Sequence, residues 1–193
     1  MTPPLICLDP GHGGTDPGAV AGGVREADVA LDYALAIGPA LERIGLAVLY
    51  TRATDRTLDL AARARAANDA GAAAFLSLHC NASASPSAEG VQVFYCRGSA
   101  RGEALARRVF DRIAAVESPG RSAGVFPDES PACGNRRLYV LRATRMPAIL
   151  IELGFLTSPS DRARLLNPEA RDRLAMAVAA ELAAATVPEP RSA

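Results

Sequence analysis

Short apolar runs alternate along the chain with stretches in which apolar positions recur every three or four residues. Leu5-Ile6-Cys7-Leu8, Ala47-Val48-Leu49-Tyr50-Thr51, Ala74-Phe75-Leu76-Ser77-Leu78 and Ala148-Ile149-Leu150-Ile151 read as buried strands, and residues 90–95 alternate as a further strand does. Ala30, Tyr33, Ala34, Ile37, Leu41 and Ile44 repeat at helical spacing, with Gly45 as a C-terminal stop. Residues 58–70 and 101–116 predict two more helices, the second with Leu105, Val109 and Ile113 on one side. Ser158-Pro159 and Asn167-Pro168 each join a capping residue to a first-turn proline and open two further helices, the last turning Leu174, Val178 and Leu182 inward. Strands alternating with helices predict a single α/β domain over residues 1–187, a mostly parallel twisted sheet of about six strands flanked by helices, with 188–193 a disordered tail.

The longest irregular stretch, residues 117–137, is rich in Pro, Gly, Ser and charge. Long loops in compact domains often carry function, so it is expected to form a wall or lid of the site. A length of 193 residues suits one domain, and 49% hydrophobic with only 5% aromatic residues implies a core of Ala, Leu, Val and Ile. The formal net charge is zero, which removes the basic field that nucleic acid or an anionic membrane would need. All 21 cationic side chains are Arg, so neither a Schiff-base lysine nor a phosphate-loop lysine exists. Cys7, Cys80, Cys96 and Cys133 contain no C-x-x-C pair and are read as small buried apolar residues; their spacing does not decide on disulfides. The first residues lack a basic region and a long apolar stretch, so no signal peptide is expected. No apolar run approaches the roughly 20 residues that span a bilayer, and no membrane insertion is expected.

Chemistry concentrates at the ends of the apolar runs. The chain has two histidines, His12 and His79, and each follows a predicted strand, as Glu152 does. Ligands of open α/β sheets gather at the carboxyl ends of strands, so three reactive groups from distant positions converge on one edge. A histidine taken alone is more often a satisfied structural group. Two of them with a carboxylate make a known donor set for catalytic zinc. Asp9, Asp16, Glu26, Asp28 and Glu152 are all candidates for that carboxylate. Glu26 also reads as an ordinary dipole-facing residue at a helix start. Glu152 ends an apolar run, where burial raises a carboxyl pKa toward the range a general base requires, unless an Arg pairs with it. The glycine-rich loop of residues 11–18 has neither the G-K-[ST] ending nor the G-x-G-x-x-G order of a nucleotide site, and no G-x-S-x-G elbow is present. Cys80 points to the opposite face from His79 and is not read as a nucleophile.

Five blocks in order carry a family resemblance: Leu8-Asp9-Pro10-Gly11-His12-Gly13-Gly14, Arg25-Glu26, Leu49-Tyr50-Thr51-Arg52, Ser77-Leu78-His79-Cys80-Asn81-Ala82, and Met146 through Phe155. Over about residues 5–185 the chain resembles the zinc-dependent N-acetylmuramoyl-L-alanine amidases of the Amidase_3 type. The resemblance implies zinc held by His12, Glu26 and His79, with Glu152 catalytic, and hydrolysis of the amide between N-acetylmuramic acid and the L-alanine of the stem peptide. It implies peptidoglycan or a muropeptide as substrate, with action on the cell wall. Arg52, Asn81 and Arg142 are the expected substrate contacts, and Arg136 and Arg137 are further arginines able to meet stem-peptide carboxylates. Some relatives carry a helical insertion that blocks the site until a partner displaces it; residues 117–137 are too short and too rich in Pro and Gly for one, so no obligate activator is expected. A phage lysis enzyme made in the cytosol and a mature bacterial enzyme supplied without its leader are both expected origins. The rivals are a zinc peptidase or deacylase on the same scaffold and a non-catalytic wall-binding module.

Overall fold

A computed structural model describes residues 2–85, 87–117, 120–121 and 123–186. The tail expected at 188–193 lies outside the described residues. Strand β1 (Leu5–Pro10) lies between β4 (Ala47–Tyr50) and β5 (Ala74–Asn81), and β8 (Ala148–Phe155) joins β5 on its far side, all four parallel. Beyond them β6 (Gln92–Tyr95) pairs antiparallel with β8, and β7 (Gly124–Pro127) runs parallel to β6. The sheet order is β4-β1-β5-β8-β6-β7, the mostly parallel six-stranded sheet that the pattern predicts. Its central strands begin as apolar runs because both faces are covered there.

The two faces differ, and strand alternation explains how. Ile6, Leu8, Leu76, Leu78, Ile149 and Ile151 point to one face and bury Tyr33 and Ile37 of α1 (Glu26–Arg43), Val109 of α3 (Ala100–Val116) and Leu174 of α6 (Pro168–Thr186). Cys7, Phe75, Phe94 and Leu150 point to the other, against Ala67 of α2 (Leu60–Asp69) and Val140 of α4 (Tyr139–Ala143). A fully buried Leu, Ile or Phe contributes about 1.5–3 kcal/mol. The first face, with the larger cluster, anchors the sheet. The second continues the same alternation into polar side chains: Asp9 on β1, Ser77 and His79 on β5, and Glu152 on β8.

Several local expectations change. His79 and Glu152 lie inside their strands rather than past the ends, because the β5–β8 ladder pairs them and continues to Asn81 and Phe155 across an irregularity. Residues 117–137 contain β7 and a 3-10 turn at Pro131–Cys133; a four-residue edge strand between Gly and Pro carries no readable period. A hairpin, β2 (Val20–Ala21) and β3 (Val24–Arg25), turns at Gly22-Gly23, and α4 is too short for helical spacing to register. The predicted caps stand: Ser158 accepts from the Asp161 amide ahead of α5 (Pro159–Leu165), and Asn167 accepts from the Glu169 amide at 2.8 Å ahead of α6. All four cysteines are free thiols, three of them buried.

Candidate metal centre

The loop that carries His12 is built over a buried cationic floor. A Cβ on Gly11 would run into the His79 ring, so glycine is required where the imidazole crosses the backbone. His12 has a left-handed φ of 55°, a conformation that costs free energy in a residue with a side chain and needs outside support. Arg63 supplies it by donating to the His12 carbonyl at 2.6 Å, while Arg52 donates to the carbonyls of Gly11 at 2.6 Å and Pro10 at 3.0 Å. Asp9 compensates Arg63 at 2.9 Å and accepts further bonds from Thr51 and Ser77. Asp9 is therefore excluded as a ligand. Arg52 is fully buried, bonded also to the carbonyls of Ala27 and Thr54, which corrects its expected role as a substrate contact: its guanidinium is consumed beneath the loop.

Breaking a buried ion pair by removing one partner leaves the other charge uncompensated. Asp9→Ala is accordingly expected to cost about 3–5 kcal/mol of folding free energy in urea titration. A loss below 1 kcal/mol would show that Arg63 is compensated elsewhere.

From His12 the chain passes through the β2–β3 hairpin to Glu26, the first residue of α1. Glu26 is buried, unlike a helix-start carboxylate placed merely to face the dipole. Its Oε1 meets His12 Nε2 at 3.1 Å and His79 Nδ1 at 2.8 Å and accepts from the Cys80 amide, while Oε2 accepts from the Ala19 amide. A Cβ on Gly18 would strike Oε2 and the His12 ring, so this close approach also requires glycine. Burial alone would raise the Glu26 pKa, but hydrogen bonds from both imidazoles outweigh it and hold the group well below the usual carboxylate range. Burial likewise opposes charge on His12, yet the carboxylates of Glu26 and Asp16 raise its pKa to about 9. Asp16 bonds His12 Nδ1 at 2.8 Å and is itself held low by that bond.

One ligand atom each from His12, Glu26 and His79 lies within 4.8 Å of the others. Two imidazole nitrogens and one carboxylate oxygen are the donor types that would hold a catalytic zinc ion. Asp16 on the outer nitrogen of His12 is the carboxylate–histidine pairing that orients metal ligands. The residues fit a zinc ion. Of the five carboxylates in play, the structure brings Glu26 to both histidines, uses Asp16 as a support and Asp9 as a counter-ion, and leaves Asp28 in a loose pair with Arg25 at 3.7 Å.

Glu152 stands beside this cluster. It pairs in register with His79 on neighbouring parallel strands, so both side chains rise from the same face. Its Oε2 is buried and has no hydrogen-bond partner, and no arginine pairs with it among the described residues. Burial pushes its pKa up to about 7, with the nearby charges of His79 and Glu26 acting in opposite senses. Gln92 occupies the next register position on β6 and accepts from Asn81 Nδ2 at 3.0 Å. Asn81 Oδ1 accepts from the Ala82 amide, so both ends of the Asn81 amide have partners within the fold. Arg142 makes a bidentate pair with buried Asp128 at 2.6 and 3.1 Å and a further contact with Glu129, so its guanidinium braces the turn after β7 instead of facing substrate. Cys80 belongs to the opposite core, where burial raises its thiol pKa well above normal and removes it as a nucleophile.

The floor of Asp9, Arg52 and Arg63 was invisible from sequence; its one signal is that a charged residue, Asp9, directly follows an apolar run. A cavity of about 570 Å³ opens over His12 and His79. Its walls include Leu58 and Leu60 before and at the start of α2, Arg136 and Arg137 at the end of the 117–137 segment, and Tyr139 at the start of α4. This arrangement suits hydrolysis: three metal-type donors stand beside a carboxyl group able to exchange a proton.

Known proteins are similar to this chain in sequence and in fold. The chain is 32% identical over 189 residues to the germination-specific N-acetylmuramoyl-L-alanine amidase of Bacillus subtilis (strain 168), covering 90% of this chain and 76% of that one. It is 32% identical to the N-acetylmuramoyl-L-alanine amidase LytC of the same organism, again over 90% of this chain but only 34% of that longer protein. The solved structure of the N-acetylmuramoyl-L-alanine amidase AmiC2 of Nostoc punctiforme superposes with a TM-score of 0.83 at 33% identity, covering 94% and 96% of the two chains. Residues 6–184, nearly all of the sheet and its helices, match the family profile described as N-acetylmuramoyl-L-alanine amidase, and the chain belongs to that family.

Proposed function

We propose that the chain is a zinc-dependent peptidoglycan amidase that hydrolyses the amide between N-acetylmuramic acid and the L-alanine of the stem peptide. His12, Glu26 and His79 hold the metal in this reading, and Glu152 moves the proton. A bound zinc ion supplies Lewis acidity, polarising an oxygen and lowering the pKa of water. The observation that carries the reading is Glu152 Oε2, buried without a partner next to three convergent metal-type donors. A side chain placed so at a purely structural site would be an unexplained cost. With its pKa near 7, Glu152 can take a proton from the attacking water and return it to the leaving amine. Arg63 and Arg52 keep the His12 backbone in place, and Asp16 fixes the orientation of its ring. Near-zero net charge argues against nucleic acid as a partner. No helix among the described residues is long and apolar enough to cross a membrane. The described residues of 117–137 hold a strand and a 3-10 turn, and of them Arg136 and Arg137 line the cavity; we read this segment as compatible with activity without an obligate activator.

The test is incubation with purified peptidoglycan, followed by mass spectrometry of the products and metal analysis of the protein. Intact glycan strands, released stem peptides with new L-alanine amino termini and about one zinc per chain are expected. Free D-alanine would point to a peptidase, and retention on the wall without release to a binding module.

A further inference from the structure

The sequence offers four arginines for a peptide carboxylate, Arg52, Arg136, Arg137 and Arg142, and the structure separates them. Arg52 is buried beneath the His12 loop, Arg142 holds Asp128 in a two-point pair, and Arg137 pairs with Glu129. Arg136 is different. It lines the cavity that contains His12 and His79, and it donates only through Nε, to the Cys133 carbonyl at 2.9 Å. Among the described residues its two terminal nitrogens have no hydrogen-bond partner, and no carboxylate lies within 4 Å of it. That leaves the outer edge of a planar guanidinium, the part able to hold a carboxylate by two parallel bonds, unclaimed at the wall of the reaction cavity. The backbone bond from Nε, on a turn that Cys133 helps close, limits the freedom of the side chain and favours one orientation. Arg136 shares this cavity with His12 and His79, and Glu152 pairs in register with His79 on the neighbouring strand.

We propose that Arg136 reads the peptide side of the substrate by binding a free carboxylate close to the scissile amide, making the enzyme selective for anionic over amidated peptides. The inference rests on the amidase reading above. A residue spans about 3.3–3.6 Å, so a group on the wall of the cavity that holds His12 and His79 is within reach of the residue that follows L-alanine. A carboxylate there completes the two open donor positions, whereas a carboxamide offers one neutral oxygen and sets an amide hydrogen against a cation. The apolar wall of Leu58 and Leu60 lowers the local polarity and strengthens the distinction.

Two synthetic N-acetylmuramoyl peptides test this, identical except that the residue after L-alanine bears a free carboxylate in one and the carboxamide in the other. The wild-type enzyme should cleave the carboxylate form with a kcat/KM about 10- to 100-fold higher. Arg136→Gln should erase the preference by raising KM for the carboxylate form alone, and Arg136→Lys should restore part of it. An equal fall for both peptides, with a shifted pH profile, would assign Arg136 to tuning Glu152 and overturn the proposal. Absence of any preference in the wild type, or its persistence in Arg136→Gln, would do so as well. If the wild type cleaves neither peptide and releases nothing from whole peptidoglycan, the amidase reading falls and takes the proposal with it. Cleavage of both with no role for Arg136 removes the proposal alone.

Discussion

Glu152→Gln is expected to lower kcat by about 10²–10⁴-fold, the usual worth of a positioned acid–base group, while metal content stays unchanged. Gln matches Glu in shape but cannot accept the proton of an attacking water. Because the reaction requires the ionised carboxylate, the wild-type rate should fall as pH drops through the Glu152 pKa. That pKa is about 7 without metal, and a nearby dication would move the acid limb below this value. The same group has the opposite effect on folding. Its folded pKa lies above the unfolded value, so the fold binds the extra proton between about 4.5 and 7 and loses stability as pH rises through that window. Above it, the metal-free protein carries a buried anion, and Glu152→Gln should raise its midpoint of thermal unfolding at pH 8. An inactive variant that is also more stable is the signature of a functional carboxylate. Substantial turnover in Glu152→Gln with verified metal content would remove the assigned role.

The second large effect is on metal binding. His79→Ala should weaken zinc affinity by more than about 100-fold, since even outer partners of metal ligands are worth 10- to 100-fold, and activity should fall to background. Chelator competition measures this directly, independent of turnover. His12 sharpens the expectation: its pKa of about 9 means that it carries a proton at neutral pH in the metal-free protein. A metal must displace that proton, so affinity should weaken with acidification from about pH 9 and about one proton should be released at pH 7.5. Calorimetry in two buffers of different ionisation enthalpy reads the number. Zinc affinity in His79→Ala equal to that of the wild type would move the metal elsewhere. Linkage also fixes the stability trend of the metal-free protein. The ion pairs of His12 stabilise the fold fully below pH 6.5, and the contribution is lost as pH rises through about 9.

The layered α/β fold was legible because its signals are local. A continuous apolar run means a strand covered on both faces, and Ala30 to Ile44 or Leu174 to Leu182 can bury one side only as a helix. Elements whose identity depends on their neighbours were not legible. β7 is a strand because β6 offers it an edge, and the last residues of β5 and β8 are strand because they pair with each other. The arginines show the limit best. Arg52, Arg136, Arg137 and Arg142 are equivalent cations in sequence, and only the surrounding carbonyls and carboxylates separate a buried buttress, two paired braces and an open guanidinium.

Sequence by itself singled out His12 and His79 as candidate metal ligands, the unusual setting of Glu152 and, by resemblance, Glu26 as the third candidate ligand. Tertiary structure alone decided that Glu26 Oε1 touches both imidazoles, that Asp16 stands behind His12, and that Asp9 with Arg63 and Arg52 holds the loop beneath them. The physical reason is the range of the interactions. Strand and helix patterns are set by residues a few positions apart, whereas hydrogen bonds and ion pairs join groups that are tens of residues apart in sequence and adjacent only once the sheet has formed.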